Sequence, residues 1–232
     1  MIAVFATIII ASGALVLGAI WGAVWGMSQR VEGFMIALAG GALIVGAMDQ
    51  MVAPAMEHLP LWAVCAALGV GAFTFWRADR FVEKRVGQDS GEGLALAVTV
   101  DGVPENLALG AALIGSTPSE VSALAAAILL SNLPESAGGA KIMAKRGQST
   151  RRIIGLWAMV ALLLAASGIG GHLIFEHMPH TPMALIHGFA AGAVISSLAT
   201  EVFPAAYRDN AHDAGIAVAL GVILALMLSG LG

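Results

Sequence analysis

Five acidic residues lie within otherwise apolar stretches of this chain: Asp49, Asp101, Glu105, Glu135 and Glu201. An ionised side chain at the centre of a lipid bilayer costs at least ~2.5 kcal/mol, so an acid there is a candidate functional residue. No lysine or arginine lies at a comparable depth in these stretches. Carboxylates gathered in a medium of low dielectric repel one another unless they take up protons or surround a cation. These residues therefore predict a cation-binding site.

Three of the five acids belong to a short motif that occurs twice. Asp101 and Glu105 are four positions apart, and Ser131 and Glu135 repeat this spacing thirty residues later. Residues four apart share one face of a helix, so each copy presents two oxygen-bearing side chains on one face. We expect two neighbouring helices to offer these pairs to a common site.

A proline precedes the glutamate in each copy of the motif. Because proline lacks an N–H and clashes with the carbonyl four residues earlier, Pro104 and Pro134 each free one backbone carbonyl. In hydrocarbon, a free carbonyl is tolerated where it lines a cavity or finds a partner such as a hydrated ion. A single proline of this kind predicts only a kink, and a single glutamate predicts only a protonated side chain. Because the motif occurs twice, a cation-binding site is favoured. Two amide oxygens could complete it, at Asn106 and Asn132.

The predicted ligands are oxygens, since neither copy of the motif contains histidine or cysteine. Such a set suits Mg²⁺, Mn²⁺, Ca²⁺ or Fe²⁺ at least as well as Zn²⁺. A second group of metal-ligating residue types follows later in the chain, at His172, Glu176, His177, His180 and His187. This group could capture metal outside the membrane, or its histidines could simply be solvated.

The composition indicates a protein embedded in lipid. Apolar residues make up 59% of the chain and charged residues 11%, and the mean hydropathy is +0.88. A bilayer core ~30 Å thick needs about 20 mainly apolar residues per helix. The sequence supplies such stretches at 2 to 25, 31 to 55, 60 to 76, 92 to 115, 119 to 143, 153 to 175, 183 to 206 and 214 to 231. The expected fold is all-α: a single polytopic membrane domain of residues 1–232, built as an eight-transmembrane-helix bundle.

All eleven lysines and arginines fall on one side of the membrane if the eight stretches alternate in direction. The positive-inside rule makes that side cytoplasmic and places both termini outside the cytoplasm. The longest polar stretch, 77–93, is mixed in charge and rich in glycine, and is expected to be a flexible cytoplasmic linker. Cys65 is the only cysteine, which excludes an intrachain disulfide and a thiolate cluster. The predicted location is the cell inner (plasma) membrane.

Internal similarity predicts inverted repeats. The stretches that contain 100–106 and 130–136 run in opposite directions, so a pseudo-twofold axis in the membrane plane would relate the two motif copies. A weaker similarity joins 42–55 with 192–205, where Pro54 and Pro204 align. Inverted repeats with helices interrupted at mid-depth are typical of many secondary transporters.

These motifs resemble those of the ZIP family of divalent-metal transporters, which share eight helices, external termini and a long cytoplasmic loop after helix three. The family's helix-four pattern, His-Asn-x-Pro-Glu-Gly, falls on 101–106, and its helix-five pattern, a polar pair followed by x-Pro-Glu, falls on 131–135. A helix-seven acid that precedes a proline is similar to Glu201. The resemblance implies primary metal ligands at Asp101, Glu105 and Glu135, and secondary ones at Asn132 and Glu201.

The chain departs from the family pattern at both motif histidines, which are replaced by Asp101 and Ser131. The sixth stretch also lacks the acid with which some bacterial members bridge a second metal. One oxygen-rich site is therefore expected in place of a binuclear zinc centre. The full set of candidate ligands is Asp101, Glu105, Glu135, Asn132, Ser131, Asn106, Glu201 and Asp49.

The expected function is transport of a divalent metal (Zn, Fe, Mn or another) toward the cytoplasm, with the metal as transported substrate. A calcium/cation or cation/proton antiporter would fit the same acids, as would an intramembrane metal-dependent hydrolase or lipid phosphatase. The sequence contains no His-Glu-x-x-His, Gly-x-Gly-Asp or serine-elbow motif, which favours a protein that is not an enzyme. A purely structural membrane subunit would bind no metal. The expected partners are divalent metal ions and the bilayer; a homodimer is compatible with the sequence, and no nucleic acid is expected.

Overall fold

The computed structural model describes residues 2–86, 91–116 and 120–230, and every regular element in these ranges is helical. The prediction of an all-α protein is therefore confirmed. The described part contains eight continuous helices, which match the eight predicted stretches in order. They are α1 (Ile2–Val24), α2 (Gln29–His58), α3 (Leu61–Val86), α4 (Gly91–Ala112), α5 (Ser122–Lys145), α6 (Thr150–Phe175), α7 (His180–Asn210) and α8 (Ala214–Ser229).

Five of these helices are long and apolar enough to cross a membrane: α1, α2, α3, α6 and α7. α8 is apolar but has only 16 residues, and α4 and α5 carry several of the buried acids. Large apolar side chains project from the outside of the bundle, among them Trp62 at 74% exposure and Leu162 at 72%. Long apolar helices with an apolar exterior are compatible with a membrane-embedded protein.

α3 is longer than the sequence predicts. The predicted stretch ends at residue 76 and gives way to a flexible linker over 77–93, but the helix continues to Val86. Residues 87–90 lie outside the described part, and α4 begins at Gly91. The linker prediction is therefore wrong for 77–86. The reason is that Phe75 and Val82, two helical turns apart and both buried, continue an apolar stripe into the charged segment.

α2 and α7 each contain one π turn, at Met48–Val52 and Leu198–Val202. A proline follows two residues after each turn, at Pro54 and Pro204. Proline inside a helix removes a backbone hydrogen bond, and such sites commonly distort the helix locally. Because these segments are the ones whose sequences are similar, the similarity between 42–55 and 192–205 extends to the backbone.

Helices pair closely where glycine removes the side chain between them. Extensive contacts join α1 with α5, α2 with both α7 and α8, α3 with α7, and α4 with α6. In the α3–α7 pair, a Cβ atom on Gly71 would lie 1.9 Å from the carbonyl oxygen of Phe189, and one on Gly192 would lie 2.0 Å from that of Leu68. Only glycine permits such an approach. The result is that the two helices run in contact along the bundle.

The two ends of the bundle carry different side chains. α2 begins, and α7 ends, at an end that also carries Arg30, Arg146, Arg152 and Arg208, which we name the basic end. Asn210 Nδ2 donates a hydrogen bond to the Arg30 carbonyl at 3.2 Å and joins these helix termini. At the opposite end, the rings of His58 and His180 stack with their centroids 4.9 Å apart. We name this the histidine end.

Candidate metal centre

Four of the predicted acids approach one another inside the bundle from three helices. α4 contributes Asp101 and Glu105, α5 contributes Glu135, and α7 contributes Glu201 from its π turn. Asp101 and Glu105 are buried, and the other two are partly buried. The Glu105 carboxyl group lies within electrostatic range of the other three, and that of Glu201 within range of Asp101 and Glu135. We name these four residues the acidic cluster.

The side chains of the acidic cluster are not arranged as a preformed metal site. Among the described residues, no group of three or more His, Cys, Asp and Glu side chains is arranged to hold a metal ion. Carboxyl groups that face one another across a low-dielectric interior repel when they are ionised. A cation that bound there would therefore have to draw the side chains inward.

A cavity of about 90 Å³ extends from the acidic cluster toward the basic end. Asp101, Glu135 and Glu201 line it beside Val98 and Val202. Nearer the basic end it is lined by Glu32, Arg208 and Asp209. Since each water needs roughly 10–15 Å³ of such volume, the cavity has room for several waters or a partly hydrated ion.

Glu105 lies deeper than the cavity, one helical turn farther from the basic end than Asp101. One turn farther still, Leu109 is fully buried and belongs to the same apolar core as Leu43 and Leu124. These side chains lie between the acidic cluster and the histidine end. Water or an ion therefore meets an apolar layer beyond Glu105.

The predicted amide and hydroxyl ligands make contacts within and between helices. Asn106 donates from Nδ2 to the Gly102 carbonyl at 2.9 Å and accepts at Oδ1 from Ser12 of α1 at 3.1 Å. Asn132 donates from Nδ2 to the carbonyl of Ala11, also on α1, at 3.0 Å. Ser131 donates to the Ile128 carbonyl within its own helix, at 3.1 Å. The two asparagines thus attach the acid-bearing helices α4 and α5 to α1.

Asp49 is not part of the acidic cluster. It lies in the π turn of α2, its side chain is exposed, and it accepts a hydrogen bond from Ser229 of α8 at 3.2 Å. The sequence placed it at suitable depth on a helix, but depth does not determine which way a side chain points around the helix.

Asp79 is an acid of the site that the sequence analysis missed. It lies in the part of α3 that was expected to be linker, and its carboxyl group contacts that of Glu201. It is also within electrostatic range of Asp101. A signal was present in the sequence, because Phe75, Asp79 and Val82 have the spacing of one helix face.

Ser197 is a second residue that the sequence analysis missed. Its side chain is 1% exposed on α7, next to Asp101, and its hydroxyl oxygen makes no hydrogen bond of ordinary geometry. Ser197 therefore offers a further oxygen beside the acidic cluster, one turn before Glu201.

The predicted group of histidines does not form a single cluster. His172 is buried, with Nδ1 3.2 Å from the Gly110 carbonyl, so it joins α6 to α4. Glu176 and His177 are exposed between α6 and α7. His180 and His187 instead lie beside His58 of α2, a residue that the sequence analysis did not consider.

Comparison with known proteins adds no identification. No protein-family model and no curated protein matches the chain. The resemblance to the ZIP family therefore depends on the motifs at 101–106 and 131–135 and on Glu201.

Proposed function

We propose that this protein is a divalent-metal transporter of the ZIP type, which moves its cargo across a membrane toward the basic end of the bundle. The observation that carries the proposal is the meeting of acids from α4, α5 and α7 beside a cavity that extends toward that end. Repelling carboxyl groups in a buried setting favour a cation more strongly than any neutral ligand. A purely structural subunit would gain nothing from such an arrangement.

The proposed topology has eight membrane spans, with the basic end in the cytoplasm and both termini outside it. Five helices already qualify by length and apolar character. We assign α4 and α5 to the membrane as well, because they pack between qualifying helices and their polarity comes largely from the acids of the site. α8, which packs along α2, completes the bundle. The positive-inside rule then orients it in the cell inner (plasma) membrane.

The proposed mechanism is alternating access. The acids face a cavity on the basic side, while the apolar layer around Leu109 separates them from the histidine end. In the proposed orientation, this arrangement would be a conformation open toward the cytoplasm. Rocking of helix groups past one another would close the cavity and part the apolar layer. The π turns of α2 and α7 are suitable places for such movement, because π turns often occur at functional sites.

The proposed cargo is a metal that prefers oxygen ligands. Asp101, Glu105, Glu135 and Glu201 would supply carboxylates, and Asp79 and Ser197 would supply further oxygens from α3 and α7. Oxygen ligands suit Mn²⁺, Fe²⁺, Mg²⁺ and Ca²⁺, and they also bind Zn²⁺. The amide groups of Asn106 and Asn132 would instead hold α4 and α5 in position.

Uptake into proteoliposomes tests the proposal. Glu135→Gln and Glu105→Gln keep the size of the side chain but remove the charge, and each should lower the initial rate of metal uptake at least ~10-fold. Glu176→Gln is the matched control, because this acid is exposed between α6 and α7. Mn²⁺, Fe²⁺, Zn²⁺ and Ca²⁺ should be compared with the same vesicles.

Three outcomes would contradict the proposal. Fluxes of every ion that are indifferent to both substitutions would end the transport interpretation. Efflux that requires a proton gradient would instead favour a cation/proton antiporter. Turnover of a lipid or peptide substrate that is abolished by Glu105→Gln would favour an intramembrane hydrolase.

A further inference from the structure

Three histidines surround a cavity of about 80 Å³ at the histidine end of the bundle. His58 comes from the last turn of α2, and His180 and His187 come from the first turns of α7. Pro54, Met183 and Ala184 complete the wall. His187 and Glu201 lie about four helical turns apart on α7. At roughly 1.5 Å per residue, this places the histidine cavity about 20 Å from the acidic cluster.

His187 has a ring nitrogen that lacks a partner. The side chain is 4% exposed, it lines the cavity, and its Nε2 atom makes no hydrogen bond. Buried polar atoms are nearly always paired, because leaving one unpaired costs roughly 1–3 kcal/mol. An unpaired imidazole nitrogen on the wall of a cavity of this size needs a partner inside the cavity, which a water molecule or a metal ion can supply.

His58 makes the kind of backbone hydrogen bond that metal-binding histidines commonly make. Its Nδ1 atom lies 3.2 Å from the carbonyl oxygen of Pro54, to which it donates when Nδ1 carries the proton. This hydrogen bond selects the tautomer whose lone pair is on Nε2, and such backbone-anchored rings are the usual ligands of zinc and related metals. His58 also lies within electrostatic range of His187.

His180 supplies a third imidazole. It is exposed and stacks on His58 with an angle of 20° between the rings. An exposed side chain changes rotamer at little cost, so His180 can turn from the stack toward the cavity. It is the first residue of α7 and its side chain lies outside the buried core.

We propose that His58, His180 and His187 form a second metal site, specific for a borderline transition-metal ion such as Zn²⁺. Imidazole binds Zn²⁺, Ni²⁺ and Cu²⁺ well and binds Mg²⁺ or Ca²⁺ poorly, so this site differs in chemistry from the oxygen-rich acidic cluster. In the proposed orientation it faces the outside of the cell, ahead of the apolar layer. The three-histidine site can bind metal whether or not the protein transports it, because the proposal concerns metal binding alone.

Equilibrium dialysis of Zn²⁺ against purified protein in detergent tests this site, after any polyhistidine tag is removed. The measurement is made on a Glu105→Gln/Glu135→Gln background, which removes carboxylates of the acidic cluster. One Zn²⁺ should remain bound, and His187→Ala or His58→Ala should weaken its binding at least ~10-fold, as expected for loss of a metal ligand. Excess Mg²⁺ should not displace it.

His177→Ala is the matched control, because this histidine is exposed near the same end but lies outside the cavity. It should leave Zn²⁺ affinity unchanged. The exposed His58 side chain can be removed without disturbing the core, so His58→Ala decides the matter if His187→Ala does not fold. Unchanged affinity in His58→Ala, equal weakening in His177→Ala, or absence of bound Zn²⁺ from the background protein would each overturn the proposal. None of these results bears on metal uptake by the acidic cluster, which is tested separately.

Discussion

The contact between Asp79 and Glu201 joins α3 to α7 through two acids. Two carboxyl groups in contact repel when both are ionised, and a shared proton or a bridging cation relieves that repulsion. The state of the pair therefore changes with whatever cation or proton is near. Since Glu201 also lines the cavity, this pair would link binding of the proposed cargo to the packing of α3 against α7.

Replacing Asp79 tests whether it belongs to the site. Asp79→Asn keeps the shape of the side chain and its ability to hydrogen-bond Glu201, but it removes one negative charge. We expect metal affinity and uptake to fall roughly 10-fold, the low end of the effect of a group that supports a metal site. The thermal unfolding temperature should stay close to that of the wild type. Uptake at the wild-type rate would show that Asp79 serves only the α3–α7 contact.

At the scale of helices, the sequence predicted well which segments are helical, but it predicted poorly which face of each helix is buried. Runs of about 20 apolar residues are a local property, so the eight stretches matched eight helices. The end of α3 was missed because the burial of Phe75 and Val82 depends on contacts that composition does not reveal. For a related reason, the sequence analysis included Asp49 among the candidate ligands and missed Asp79. Which face of a helix meets its neighbours depends on packing partners that are distant in sequence.

The glycine contact between α3 and α7 predicts a sharp difference between two nearby substitutions. Gly71→Ala would put a Cβ atom 1.9 Å from the Phe189 carbonyl, so the helices must separate. Overpacking of this kind costs about 1–3 kcal/mol. Gly69→Ala, on the same helix, meets nothing within 4 Å and should be neutral or stabilising, since alanine is favoured over glycine in helices by about 1 kcal/mol.

Thermal unfolding in detergent and metal uptake together measure this difference. Gly71→Ala should lower both the unfolding temperature and the uptake rate, because the contact also aligns Asp79 with Glu201. Gly69→Ala should lower neither. Equal behaviour of the two variants would mean that the close approach of α3 and α7 is not needed for stability or for the site.

At the scale of the whole molecule, function depends on which end of the bundle faces the cytoplasm. The cavity beside the acids extends toward the basic end, and the three-histidine cavity is at the other. If the protein transports metal as proposed and its basic end is cytoplasmic, metal would meet imidazole first and carboxylate second, and would leave through the cavity that Arg208 and Asp209 line. If the bundle had the opposite orientation, the same cavities would correspond to metal export.

Single-cysteine labelling in intact cells decides between these orientations. Cys65 is the only cysteine, so Cys65→Ser gives a background without thiols. In that background, His177→Cys at the histidine end should react with a membrane-impermeant maleimide added outside, and Thr150→Cys at the basic end should react only after the cells are opened. Both positions are exposed, so access to the reagent is limited by the membrane alone. Labelling of Thr150→Cys in intact cells would reverse the proposed orientation, and with it the direction of transport, because the positive-inside bias of eleven basic residues would then have failed.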